Sequence, residues 1–208
     1  MKGKLIAVLG VALLFGGSSF AQNSDSKQAE VSLDYSFASV YPVSNIANRH
    51  SLNGGGGTFA YFWKDLFGVK ADFQGYASNT THFVVPAGNP NLPPGKYNVQ
   101  GNLFTYLFGP VIQPRKMKYA PFGQILFGAG HTNVYSNLFK AAGSLGSAPS
   151  NNAFSMAVGG GIDIRLTDSI YFRPAEFDYL LTNFTNNYVS GTRIQSNFRY
   201  LAGLNFRF

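Results

Sequence analysis

Two groups of side chains in this 208-residue chain have the types and spacing to do chemistry. The first is His131 with Ser136. An imidazole that can take a proton from a hydroxyl makes a nucleophile for acyl esters, provided that an acid orients the ring. No Asp or Glu lies between Asp72 and Asp163, so that acid would have to come from a distant segment. The competing reading is a histidine at the edge of a loop. His50 and His82 have no metal-ligand spacing around them, and no cofactor motif is present. The second group is Glu176 and Asp178, a carboxylate pair of the sort used in glycoside hydrolysis. Gly54–Gly57 and Gly159–Gly161 are glycine-rich, but neither leads into Lys-Ser/Thr or a helical pattern, so they do not read as phosphate loops. Relief of crowding in a tightly curved sheet is the simpler role.

Positioning either group falls to strands. In RYLAGLNFRF (199–208), Tyr200, Ala202, Leu204, Phe206 and Phe208 take one face while Arg199, Leu201, Gly203, Asn205 and Arg207 take the other. Alternation of period two marks a strand with two chemically different faces. The same rhythm runs through AEVSLDYSFA (29–38), GGTFAYFW (56–63), LFGVKADFQGYA (66–77), YNVQGNLFTYLFG (97–109), FGQILFGAGHT (122–132), AFSMAVGGGIDIRL (153–166), SIYFRPAEFDYLLTNF (169–184) and the closing segment from Arg193. The eight segments alternate between short turns (Lys64-Asp65, 110–120, Thr167-Asp168) and longer, more polar connections (39–55, 78–96, 133–152, 185–192). An even strand number with that alternation predicts an all-β, eight-stranded antiparallel up-and-down barrel that spans a membrane.

Composition decides which face is outside. Charged residues are 12% of the chain, about half the roughly 25% of a soluble domain, and aromatics are 16%. That is too little charge to cover a soluble exterior, and an eight-stranded interior has no room for so many rings. Turned with its aromatics toward lipid, the barrel gains a sensible interior. Asp34, Lys70, Asp72, Asp163 and Arg165 lie on the polar parity of their strands. Arg173 and the pair Glu176/Asp178 have opposite parity, and Pro174 between them predicts a bulge that would bring all three inward. With Arg199 these residues form a charge lattice of near balance, which plugs the lumen and outweighs a catalytic reading of Glu176 and Asp178. Trp63 and Tyr61 sit beside a short turn, where an interfacial girdle belongs. The basic run PRKMK (114–118) is expected to be a solvated turn.

The first 21 residues carry Lys2 and Lys4, an apolar run from Leu5 to Phe15 and small residues before Gln22. This is the pattern of a cleavable secretory signal. The predicted division is 1–21 signal, 22–28 lead-in and 29–208 barrel. The formal charge is +7, or +5 without the two signal lysines. No basic stripe interleaved with exposed aromatics accompanies it, so nucleic acid is not an expected partner. No cysteine is present, which removes disulfides and thiolate chemistry.

The terminal pattern Tyr200-x-Ala202-x-Leu204-x-Phe206-x-Phe208 resembles the assembly signal of Gram-negative outer-membrane barrels. LFGP (107–110), PFGQILFGAGH (121–131), SMAVGGGIDIRL (155–166) and RPAEFDYLLT (173–182) are similar to small OmpA-type β-barrel domain proteins. The resemblance covers Ala29 to Phe208 and departs from full-length OmpA in carrying no peptidoglycan-binding domain. It implies a monomeric integral protein of the outer membrane, in contact with its lipid and lipopolysaccharide and delivered by the barrel assembly machinery. A structural or surface-interaction role through the long loops follows, with no enzymatic activity. Two alternatives stand beside it: a lipid A-modifying hydrolase using His131 and Ser136, and a soluble lipocalin-like binder.

Overall fold

Alternating apolar and polar side chains make two-faced strands, and two-faced strands in lipid must close on themselves, because no backbone N–H or C=O can be left to the hydrocarbon. The computed structural model describes residues 27–40, 50–77, 80–85, 87–88, 92–143, 152–184 and 194–208. The expected signal segment 1–21 and most of the 22–28 lead-in lie outside the described residues.

Among the described residues, ten strands and one helix follow in order: β1 (Ala29–Val40), β2 (His50–Phe62), β3 (Phe67–Ala77), β4 (Thr81–Val85), β5 (Gly95–Val99), β6 (Asn102–Ile112), β7 (Tyr119–Thr132), α1 (Val134–Ala141), β8 (Asn152–Arg165), β9 (Ile170–Asn183) and β10 (Gln195–Arg207). Eight of them close into one barrel in the order β1-β10-β9-β8-β7-β6-β3-β2, while β4 and β5 pair with each other as a separate hairpin. The closing seam is antiparallel, with Leu33 opposite Leu204 and Tyr35 opposite Ala202. Ala29 and Phe208 exchange backbone hydrogen bonds at its end, Phe208 N–H to Ala29 O at 2.9 Å and Ala29 N–H to Phe208 O at 3.2 Å.

The faces sort as lipid requires. β6 alternates exposed and buried along its whole length. Leu33 is 65% exposed, Phe108 59% and Phe154 57%, whereas Asp72, Glu176 and Arg199 on the inner face are fully buried. An aromatic belt outside and ions inside overturn the soluble lipocalin-like alternative, whose chemistry would be the reverse. Phe73 meets Tyr106 edge-on at 6.2 Å and Phe177 stacks on Phe198 at 5.7 Å across neighbouring strands, contacts that add to sheet stability beyond simple burial.

Several element boundaries differ from the sequence pattern. The segment 97–109 is two elements, because the chain leaves the barrel wall at Gly101: a Cβ there would lie 2.1 Å from Val134 of α1. β6 runs on through Pro110 to Ile112, and only 113–118 turns. Proline has no N–H to give, and the ladder to β7 skips Gly109 and Pro110 while the pairing with β3 continues. β2 starts at His50, six residues earlier than its aromatic run suggests. The connections 78–96 and 133–152 are not merely polar loops, since they contain β4, most of the β4–β5 hairpin and α1.

Candidate functional site: an ion-paired lumen beneath an apolar cap

Each barrel strand delivers one inward side chain every second residue, so the lumen fills in layers. Nearest the end that carries both termini, Glu30 of β1 is the hub. Its Oε2 accepts from Arg115 Nη1 at 2.6 Å and from Arg207 Nε at 2.8 Å, and its Oε1 accepts from Arg173 Nη2 at 3.4 Å. Asp163 takes the second layer, with Arg173 Nε at 2.8 Å, Gln113 Nε2 at 2.7 Å and Arg207 Nη2 at 3.3 Å. Glu176 follows, holding Lys70 Nζ at 3.0 Å, Arg173 Nη1 at 2.8 Å and Gln124 Nε2 at 2.7 Å. At the top Arg199 forks onto Asp72 through Nη1 at 2.9 Å and Nη2 at 3.1 Å, while its Nε donates to Asp178 at 2.7 Å. Four of the cations also lie over inward rings: Arg207 on Tyr171 at 3.5 Å, Arg115 on Phe62 at 4.1 Å, and Arg173 and Lys70 on Phe122 at 4.5 Å and 5.3 Å.

The fork of arginine suits this architecture, since one planar group can bind two carboxylates at fixed angles. Desolvating so many ions is costly, and removing one partner leaves another charge buried and unpaired, at about 3–5 kcal/mol. The lattice therefore holds its members in a fixed mutual geometry.

The other end is closed by different chemistry. Ala38, Leu52, Tyr76, Leu103, Ala153 and Phe184 at the mouth pack with Phe83 and Val85 of β4, Leu92, Val99 of β5, and Leu138 and Phe139 of α1 into one apolar cluster. Helix α1 is pinned to the wall by two asparagines: Asn133 Oδ1 accepts from the Asn102 N–H at 2.7 Å, and Asn137 Nδ2 donates to Gln100 O at 2.8 Å. Gln195 ties β9 to β10 beside it, accepting from Thr182 Oγ1 and from the Phe184 N–H, each at 3.1 Å.

Among the residues that the sequence pattern placed inside, Asp34, Lys70, Asp72, Asp163, Arg173, Glu176, Asp178 and Arg199 are all buried on the inner face. The extra residue sits where Pro174 suggests: β9 advances from Arg173 to Glu176 while β10 advances only from Gly203 to Leu201. Tyr200 donates its phenol to Pro174 O at 2.6 Å, covering a carbonyl that the bulge frees from the ladder. Gly159 makes room for the lattice, because a Cβ there would lie 2.2 Å from Asp178 Oδ1.

Arg165 is a correction. It is exposed at the last position of β8, on the inward parity but at the rim, where water solvates the guanidinium and no lattice partner is needed. The 114–118 run is another, since Arg115 folds back into the lumen and is only 7% exposed. Burial pushes its guanidinium down from the ordinary value, opposed by the facing Glu30. Glu30, Arg115, Arg207, Gln113 and Gln124 complete the lattice without having been singled out from the sequence. Strand parity pointed to Glu30 and Arg207, whereas nothing local marked Arg115, which reaches the lumen from a turn.

His131 and Ser136 do not assemble a triad. The His131 ring at Nδ1 meets Asn152 Oδ1 at 2.7 Å, an amide oxygen where a carboxylate would be needed. Ser136 lies within α1. The described carboxylates are in the lattice, at Asp34, or at the opposite end in the turns holding Asp65 and Asp168. His82 is likewise held by an amide, Asn98 Oδ1, at 2.6 Å.

The terminal residues Tyr200, Ala202, Leu204 and Phe206 line the outside of the seam, with Leu204 and Phe208 well exposed. Closed strands, a lipid-facing belt and an ionic interior together define the class, an eight-stranded transmembrane β-barrel of the outer-membrane type. Solved structures agree. Neisserial surface protein A is similar over 89% of this chain and 100% of its own, with a TM-score of 0.60 at 12% identity. The attachment invasion locus protein Ail of Yersinia pestis, crystallised with the heparin analogue sucrose octasulfate, is similar over 87% of this chain and 99% of its own, with a TM-score of 0.50 at 14% identity. No family profile matches the chain, and no curated protein sequence does. The fold and the exterior chemistry put the protein in the outer membrane.

Proposed function

We propose that this barrel is a non-catalytic surface protein whose extracellular end binds anionic glycan, either the phosphorylated lipopolysaccharide of its own membrane or a sulfated polysaccharide from outside. One observation carries the reading. The connections at that end hold Arg49, Lys96, Lys140 and Arg193 and not a single carboxylate, although the periplasmic turns carry both signs. Lys96 and Lys140 are exposed, one on each of the two elements that build the cap. Cations without counter-charges next to an apolar base attract polyanions at long range and hold them by several weak contacts. The plugged lumen supports the same reading, since transport along the axis would have to break the ion-pair lattice. That a barrel of this fold has been crystallised with a sulfated sugar adds support. Targeting to the assembly machinery through Tyr200 to Phe208 belongs to the same proposal.

The test is retention on a sulfated polysaccharide and on lipopolysaccharide-bearing vesicles. Wild-type barrel is expected to bind one or both and to be released by salt, and Lys96→Glu/Lys140→Glu to bind at least tenfold more weakly, on the order of 1.4 kcal/mol. Equal retention of the two proteins would sink the proposal. Binding to vesicles alone identifies the lipid phosphates as the ligand, and binding to the free polysaccharide identifies an external one. Alongside it, His131→Ala is expected to leave lipid A acylation unchanged.

A further inference from the structure

The end of the barrel that carries both termini holds a cleft of about 200 Å³. Five cations line it, Lys27, Arg115, Lys116, Arg165 and Arg207, against one carboxylate, Asp168. Bonds between separate segments bring these groups together. Lys27 of the lead-in gives its carbonyl oxygen to Arg115 Nη2 at 2.7 Å, and Arg115 and Arg207 share Glu30 Oε2 at 2.6 and 2.8 Å. The Arg207 guanidinium lies 3.5 Å from the centre of the Tyr171 ring, and Tyr171 stands opposite Arg165 in the β8–β9 ladder. The Arg165 N–H in turn donates to Lys118 O at 2.9 Å, which ties the end of β8 to the 113–118 turn.

The cations are not equally partnered. Arg115 and Arg207 belong to the lattice, and Lys116 pairs with Asp65 at 2.7 Å on the surface. Lys27 gives its ammonium to two neutral oxygens of the neighbouring turn, the Asp168 carbonyl at 2.8 Å and the Ser169 hydroxyl. Arg165 is exposed, and its guanidinium has no hydrogen-bond or ion-pair partner among the described residues. The Asp168 carboxylate makes no ion pair among them either. Two cations thus reach the cleft without a counter-charge, above a floor of two buried arginines, Arg115 at 7% exposure and Arg207 at 2%. A concave site lined by one sign of charge concentrates its field on an incoming ion of the other.

The donor types narrow the ligand. The planar fork of arginine matches pairs of phosphate oxygens, and lysine adds a point charge. Donors that converge from the lead-in, from β8 and from the floor suit a tetrahedral group with oxygens in several directions, whereas a carboxylate offers two in one plane. The volume is below the roughly 300–1,000 Å³ of sites for drug-sized ligands, so the cleft takes one such group and not a large molecule entire.

We propose that this cleft binds a phosphate-type oxyanion in solution, either the free ion or a phosphate ester, with Lys27 and Arg165 as its adaptable contacts and Arg115 and Arg207 as a fixed positive floor. It lies at the opposite end of the barrel from the cap, so its failure and that of the glycan-binding proposal are independent.

The experiment follows the backbone amide signals of residues 165–169 by NMR in purified, micelle-bound barrel while inorganic phosphate replaces chloride at constant pH and ionic strength. Wild type is expected to show a saturable shift of these signals. Lys27→Gln/Arg165→Gln alters two exposed side chains outside the lattice and should need at least about tenfold more phosphate for half the shift. Wild-type signals indifferent to phosphate overturn the site, as does a double variant that titrates like wild type. Acetate moving the same signals at the same concentration overturns the tetrahedral assignment. Tighter binding of glycerol phosphate than of inorganic phosphate identifies an ester as the ligand, and the reverse order the free ion. Should the double variant fail to fold, Arg165→Gln is titrated in its place, and an unchanged phosphate affinity overturns the proposal.

Discussion

The two ends of this barrel are closed by opposite means. At the end with the short turns, five cations and their carboxylates interlock through bonds of 2.6–3.4 Å. At the end with the long connections, the apolar side chains of Phe83, Leu92, Val99, Leu138 and Phe139 close the mouth, and the cations described there, Lys96 and Lys140, stay exposed on its surface. The contrast follows from where the groups come from. Lumen side chains are fixed by strand register, so a polar group aimed inward must find its partner at a set place and angle. Directional bonds suit such a frame, and each depends on the rest. The cap is built from a hairpin and a helix that satisfy their own backbone bonds and can settle until apolar surfaces meet. Water above the mouth gives that surface a hydrophobic driving force, which hydrocarbon around the wall cannot supply.

Breaking the lattice should therefore cost more, and at longer range, than thinning the cap. Arg199→Ala strands Asp72 and Asp178 in the lumen, and a loss of about 3–5 kcal/mol in unfolding free energy is expected from denaturant titration in vesicles. Restoring balance by adding Asp72→Asn should recover part of it, and a purely additive double variant would show that the fork to Asp72 carries no coupling. Leu138→Ala opens a cavity in the cap worth about 2–5 kcal/mol to that cluster. The cap is expected to feel it locally: protease cleavage at Lys96 and Lys140 should accelerate while the unfolding midpoint of the barrel moves less than for Arg199→Ala. Equal shifts of the midpoint would mean that cap and lattice melt as one unit. Tyr200→Phe is the smallest perturbation. It removes only the bond to the Pro174 carbonyl, and about 0.5–1.5 kcal/mol should be lost with the bulge register intact, as read from amide exchange in β9.

Legibility in the sequence divides along the same line. Within strands, parity alone locates Asp72, Glu176 and Arg199 inside and Leu204 and Phe208 outside, because the period of a strand is two and the wall has only two faces. Proline at 174 even marks the place where parity must slip. Parity is blind where a residue leaves the wall. Arg115 enters the lumen from a turn, Arg165 keeps inward parity yet sits beyond the last layer, and the 97–109 run breaks at Gly101 because Val134, more than thirty residues away, occupies the space beside it. The cap was hidden for the same reason, most of its apolar residues being scattered over two connections, 78–96 and 133–152, that look polar in composition.

The sequence by itself determined the barrel, its closure, the side that faces lipid and the identity of most of the buried ions, since each of these depends on alternation along a single strand. Only the tertiary structure decided which ion holds which, that Asp34 alone among the described buried carboxylates makes no direct ion pair, and that two loops fold into an apolar cap. Those outcomes depend on shear, on the bulge at Pro174 and on contacts between residues far apart in the chain, where distance in space is set by closure and not by position in the sequence.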